Sequence, residues 1–189
     1  MAHMKRRLGL LLLAGGIGAA AAIALRRERP PVRNPDVPEP AKPVDLSRYL
    51  GLWYELGRFE NAFEHGCEGV TAHYSRARGE LIAIVNTCRE RPGASPSRIA
   101  RGRARVVGAP TDGKLKVSFF GPFFLADYWV LDHADDYAWS IVGEPSGRYL
   151  WILSREPTPG DDVYRDLVMR AEAMGYDMTA FRRTQQAPV

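Results

Sequence analysis

From Gly51 onward, apolar and polar positions alternate in short runs broken by Gly, Pro and Asp. Period-two alternation marks half-buried strands. The runs are Trp53–Phe59, Cys67–Ser75, Glu80–Cys88, Ile99–Val107, Lys114–Phe120, Asp127–Asp132, Tyr137–Gly143 and Arg148–Arg155. Turn signals separate them at Phe63–Gly66, Arg76–Gly79, Arg91–Pro96, Ala109–Gly113, Gly121-Pro122 and Pro145–Gly147. The period then changes. Val163, Tyr164, Leu167, Val168, Ala171 and Met174 recur at helical spacing, with Asp161 and Asp162 placed to cap and Gly175 to stop. Tyr176–Arg183 reads as a last strand. No βαβ pattern occurs. The expected fold is therefore all-β, an eight-stranded antiparallel up-and-down barrel with one C-terminal helix packed outside. Such a barrel is either filled or holds one small ligand. Gly51-Leu52-Trp53, at its start, suggests an indole plugging one end.

The second and third runs make a hairpin whose centre falls between Ala77 and Arg78. That places Val70 opposite Val85, Ala72 opposite Ala83 and Cys67 opposite Cys88. Directly opposed Cβ atoms lie about 4.5–5.5 Å apart, near disulfide reach. In an exported chain the two cysteines are expected to pair as Cys67–Cys88. The hairpin of the last two runs is read with Gly143 opposite Arg148, so that Val142 faces Tyr149 and Ser140 faces Trp151.

The amino-terminal part has a different pattern. Lys5-Arg6-Arg7 precedes an uncharged run, Leu8–Leu25, with small residues at Ala19–Ala24. This is the layout of an export signal, and its length also approaches that of a membrane span. Arg26, Arg27 and Arg29 follow at once. Residues 1–29 are thus an export signal or an uncleaved transmembrane anchor. Residues 30–43, with Pro30, Pro31, Pro35, Pro38, Pro40 and Pro43, form an extended linker without a core. Residues 44–185 are the barrel domain. No cysteine lies in or just after the apolar run, so an acylated amino-terminal cysteine is excluded on this reading.

Composition narrows the function. The 189 residues are 46% hydrophobic and 25% charged, with a net charge of +4. Much of that charge sits before Pro30, so the folded part is nearly balanced and nucleic acid is not an expected partner. Arg98, Arg101, Arg103 and Arg105 form a local basic stretch. It reads as the solvent face of a strand, with an anionic membrane surface as the sharper alternative. His3, His65, His73 and His133 lack metal-ligand spacing, and no nucleophile–base motif appears. Asp135-Asp136 and Asp161-Asp162 read as a turn and a helix cap. Neither a metal, nor a cofactor, nor catalysis is expected. The one surviving enzymatic route is an unpaired Cys67 acting as a thiol catalyst.

Three ordered stretches carry a family resemblance. Gly51-Leu52-Trp53-Tyr54 resembles the first lipocalin motif. Asp127–Asp132 resembles the second, with Ala126 where Thr is common. Tyr149–Arg155 resembles the third. Lys116–Phe123 is similar to the bacterial outer-membrane lipocalin subgroup, related to apolipoprotein D. The resemblance implies a cup for an apolar ligand, a fatty acid or lysophospholipid, and a role in envelope lipid storage, transport or repair. An amino-terminal lipid anchor is usual in that subgroup. Lacking the anchor cysteine, this chain is expected to be periplasmic and not a lipoprotein, attached if at all through Leu8–Leu25, and a monomer or weak dimer. A barrel plugged by its own side chains, binding an envelope partner at its rim, is the remaining alternative.

The family pattern assigns Trp53 and Arg155 to the closed end, guanidinium over indole. If Arg155 points inward, Trp151 does too, two residues away on the same strand face. Trp151 then projects into the cup beside the small Ser140 and is a candidate ligand wall. Phe119, Phe123 and Phe124 follow a break at Gly121-Pro122 and are candidate lip residues. Tyr128 is a candidate donor to a carboxylate or phosphate headgroup. Glu55 is a weaker polar candidate.

Overall fold

The computed structural model describes residues 29–109 and 111–188. A short helix α1 (Leu46–Tyr49) leads into β1 (Gly51–Phe59), followed by β2 (Glu68–Arg76), β3 (Ile82–Arg89), β4 (Arg98–Val106), β5 (Lys114–Ser118), β6 (Ala126–His133), β7 (Trp139–Gly143) and β8 (Leu150–Ser154). Helix α2 (Asp161–Ala173), a 3-10 turn (Met178–Ala180) and a short β9 (Phe181–Arg183) complete the domain. Each strand from β2 to β8 pairs antiparallel with its sequence neighbour, and β1 closes the ring by pairing with both β8 and β2. β9 adds to β1 beyond the point where β2 departs. The expected eight-stranded up-and-down barrel is therefore observed.

Alternation splits the apolar residues into two cores. Trp53, Val130, Val142 and Leu153 face inward with Tyr49, Tyr74, Ile84, Leu115 and Val117. Their neighbours Leu131, Ile141 and Ile152 face outward and are covered by Leu167 and Ala171 of α2 and by Tyr176. The helix starts after Gly160, without a side-chain cap, so Asp161 and Asp162 occupy its first turn, where they favour the helix dipole.

The β2–β3 register differs from the expected one. Ala77 N–H bonds to the Leu81 carbonyl at 2.8 Å around Gly79, whose φ of +72° suits only glycine at low cost. The pairs are thus Tyr74 with Ile84 and Ala72 with Asn86. An irregularity between Glu68 and Thr71 takes up one residue of the shift, and Cys67 and Cys88, no longer directly opposite, still meet, with Cα atoms 5.2 Å apart, in the expected disulfide. With both cysteines of the chain joined, the thiol-catalyst alternative loses its nucleophile. In the β7–β8 hairpin, Val142 faces Trp151 and Ser140 faces Leu153. The expected Ser140–Trp151 pair is corrected by two residues. The Glu144 carboxylate accepts the Arg148 and Tyr149 backbone N–H groups, so the ladder begins only at Leu150.

The proline-rich segment does not behave as a free spacer. Arg33 and Asn34 donate backbone N–H groups to the Gly147 carbonyl, Ala41 to Leu131 and Val44 to Thr111. Asn34 is buried, and its amide donates to the Met174 carbonyl at 2.9 Å while its oxygen accepts from Asp36 N–H. Gly147, at φ +63°, passes so close that a Cβ would lie 1.7 Å from the Asn34 carbonyl oxygen. The expectation of an extended spacer fails because the non-proline residues retain donors and use them on the barrel wall. Asn34→Ala should lower stability by about 1–3 kcal/mol, by leaving the Met174 carbonyl unpaired. A lower urea midpoint with an unchanged m-value would show it, and an unmoved midpoint would refute the strap. The run Leu8–Leu25 lies outside the described residues, and among those residues no helix is long and apolar enough to cross a membrane.

Candidate ligand-binding site

The two ends of the barrel are chemically unlike. At the closed end Trp53 is fully buried and donates its indole N–H to the Tyr49 carbonyl at 2.8 Å. The Arg155 guanidinium lies 3.7 Å above the Trp53 ring and also donates to the carbonyls of Arg48, Tyr49, Leu50 and Leu52. One planar cation thus stacks on the plug and ties down the turn that precedes β1.

Above this floor lies a layer of phenols. The Tyr128 hydroxyl sits 2.9 Å from those of Tyr49 and Tyr74, and Tyr49 reaches the buried Ser140 hydroxyl at 3.2 Å. Ser140 donates to the Asp132 carbonyl. Each hydroxyl carries one proton. The chain Tyr74 to Tyr128 to Tyr49 to Ser140 to Asp132 therefore uses every donor. Burial pushes Tyr49 up to about 12 and raises Tyr74 and Tyr128 as well, so the phenols stay neutral. Tyr128 and Ser140 belong to this internal network. A cavity of about 10 Å³ remains beside it, walled by apolar residues including Leu46, Ile82, Leu115 and Val117, room for about one water.

The open end is formed by the β1–β2, β3–β4, β5–β6 and β7–β8 connections. Trp151 faces inward just below it, packed against the inner core. Its ring stacks on Tyr149, with centroids 5.9 Å apart, and both rings approach Phe63. Trp151 donates its indole N–H to the Glu64 carboxylate at 3.0 Å, which fixes the ring. Phe119, Phe123 and Phe124 lie on or beside the β5–β6 connection at the same mouth, and Phe124 lies under the Arg105 guanidinium.

Glu55 is buried beside a partner that strand alternation hides. The register shift between Glu55 and Gly57 turns Arg58, three residues on, to the same inner face. Arg58 is fully buried and donates to Glu55 at 2.6 Å, to the Thr184 hydroxyl, and to the Glu64 and Cys67 carbonyls. Thr184 also donates to Glu55. Burial, then the nearby Glu64 charge, pushes Glu55 up to about 8 against the pull of Arg58. Arg58 pairs with Trp151 across the β1–β8 ladder, and Glu64 touches both, so the polar cluster and the aromatic wall are one unit. Arg58, Phe63 and Glu64 were not legible as site residues, because a bulge and a loop place them. The odd Glu55–Arg58 spacing is the signal that could have pointed to the bulge.

Residues 44–186 match the family model described as a lipocalin-like domain. The chain is 41% identical over 146 residues to the outer membrane lipoprotein Blc of Escherichia coli K12, covering 75% of this chain and 79% of the relative. It is 32% identical over 130 residues to rat apolipoprotein D, covering 62% and 66% respectively. Among solved structures, insecticyanin of the tobacco hornworm Manduca sexta shares the fold, with a TM-score of 0.60 at 23% identity, over 83% of this chain and 88% of that one. These relatives overturn two expectations. The chain's bacterial relatives are named outer membrane lipoproteins, which conflicts with the assignment as a non-lipoprotein with a transmembrane anchor. That assignment rested on the absence of a cysteine near Leu8–Leu25 and on hydropathy, and an apolar run reads alike in a signal and in a span. Both the transmembrane and the non-lipoprotein assignments are withdrawn. By its three motifs, its closed barrel and its relatives, the chain belongs to the lipocalin family, whose members bind small hydrophobic ligands.

Proposed function

We propose that this lipocalin binds a single-chain lipid, a fatty acid or a lysophospholipid, and stores or carries it in the cell envelope. The observation that carries this reading is the aromatic wall at the open end, the half-buried Tyr149 and Trp151 with the exposed Phe63 against them, leading into an apolar interior. Each methylene taken from water there contributes about 0.8 kcal/mol. The wall lines the path of the chain, and Phe119, Phe123 and Phe124 form the lip.

The phenol layer supports a second reading, a barrel plugged at mid-depth that binds partners at its rim. Its cavity of about 10 Å³ admits no acyl chain unless the Tyr49, Tyr74 and Tyr128 rings part. Tryptophan fluorescence titration with a long-chain fatty acid and with a lysophospholipid separates the two. Saturable quenching in the wild type, with affinity weakened at least about tenfold in Trp151→Ala, a loss of about 1.4 kcal/mol, is the expected result. No saturable change, or an identical curve for the variant, would leave the plugged barrel standing. Native mass spectrometry of freshly extracted protein would identify a co-purified lipid.

A further inference from the structure

We propose that the open end of the barrel docks on an anionic lipid bilayer, with the β5–β6 connection entering the acyl region and β4 contributing the headgroup contacts. This surface borders the proposed entry to the interior and shares Phe63 and Phe123 with it, but the docking does not depend on what the barrel carries. Phe120, Phe123 and Leu125 are 88%, 68% and 80% exposed, all within seven residues of one connection. Phe63, on another loop of the same mouth, is 57% exposed. Phe120, Phe123 and Leu125 project from the β5–β6 connection, while Phe63 also packs on Tyr149 and Trp151. Apolar tips of this kind suit a bilayer, which closes around each one, whereas a protein partner needs a continuous packed patch.

The charge beside these tips selects the kind of membrane. Arg101 and Arg103 point outward on β4, and Arg103 stands opposite Ser118, where the β5–β6 connection leaves the sheet. Arg103 also donates to the Gly121 carbonyl at 3.1 Å, which holds the guanidinium at the base of the loop. Neither arginine meets a carboxylate among the described residues. Between them and the loop runs an open groove of about 330 Å³, lined by Arg101, Gly102, Arg103, Ser118, Phe119 and Gly121. A phosphate headgroup placed there would have cations on one side and apolar tips on the other. Cations held at that depth favour anionic over zwitterionic lipid.

The path of the chain agrees. Arg148, on the β7–β8 connection, donates to the Pro30 carbonyl, so residue 30 lies at the mouth end. With the mouth on the bilayer, an apolar ligand could enter or leave without crossing water.

The test uses the full chain carrying Phe120→Trp, with vesicles of phosphatidylethanolamine and phosphatidylglycerol bearing brominated acyl chains. Residues 1–28 travel with the chain and can themselves bind vesicles, so bulk co-sedimentation is not the readout. The introduced indole reports on the loop alone, after subtraction of the wild-type signal. Expected are a blue shift and bromine quenching on these vesicles, and little of either on phosphatidylcholine. Arg101→Gln with Arg103→Gln should weaken the quenching titration by roughly tenfold or more. An introduced indole that stays in water while the chain co-sediments would overturn the proposal. So would quenching that ignores both lipid charge and the arginine changes. A concentration-dependent blue shift without lipid would show instead that a second copy covers the lip.

Discussion

Trp53→Ala is expected to cost about 3–5 kcal/mol of unfolding free energy, the range for deleting a large buried aromatic. The ring is fully buried at the closed end, where Tyr49 packs beside it at a centroid distance of 4.9 Å and Arg155 closes it from outside. Arg155 cannot readily drop into the gap, because it is held by four backbone carbonyls. A domain with a total stability of roughly 5–15 kcal/mol could lose its folded population through that single change. Trp53→Phe keeps a ring under the guanidinium and loses mainly the hydrogen bond to the Tyr49 carbonyl, so it should cost about 1–2 kcal/mol. Arg155→Lys should recover little of an Arg155→Ala loss, since one ammonium cannot span the same carbonyls and stack as well. Urea unfolding followed by circular dichroism measures all four. A Trp53→Ala midpoint close to the wild type would mean that the plug is not where the barrel's stability resides.

The residues alone suggest Trp53 as a plug, and its pairing with Arg155 comes from the family resemblance; in the structure the guanidinium lies 3.7 Å over the indole. Strand number and order were legible in the residues themselves. The alternation and the turn residues agree along the whole chain from Gly51 to Ser154. What failed was register. The β2–β3 turn centres on Gly79 and the ladder irregularity between Glu68 and Thr71 recovers only part of the shift, so the disulfide was anticipated from a pairing that is wrong along the hairpin, and the cysteines meet without being directly opposite. In the last hairpin, the Glu144 side chain takes two backbone donors that a ladder would otherwise use. That moved Ser140 away from Trp151 by two residues and left the inward direction of Trp151 intact, since a two-residue shift preserves the face.

The proline-rich segment and Arg58 failed for different reasons. Composition marks residues 30–43 as extended, but an extended chain with free N–H groups can lie on a wall as readily as in solvent. Strict alternation puts Glu55 and Arg58 on opposite faces. Only the bulge in β1 brings them together, and it falls between the part of β1 that pairs with β2 and the part that pairs with β9.

That buried pair carries the other large effect. Arg58→Ala should cost about 3–5 kcal/mol, because it empties a fully buried site and strips donors from Glu55 and from the Glu64 and Cys67 carbonyls. It should also loosen Trp151, whose indole is held by Glu64, so ligand-induced quenching should fall along with stability. Glu55→Gln should behave differently. Glu55 keeps its proton up to about 8 in the folded chain, against 4.5 as its ordinary value. Between those values the folded state binds the extra proton, so this group's contribution falls as pH rises, by at most about 1.4 kcal/mol per unit. Below the lower value the contribution is fully present. The glutamine variant cannot ionise, so it should lie within about 1 kcal/mol of the wild type near pH 5 and gain on it steadily toward pH 8. Urea midpoints of both proteins across that interval decide the matter. A Glu55→Gln loss of several kcal/mol at every pH would show that the carboxylate is ionised throughout and that Arg58 outweighs burial.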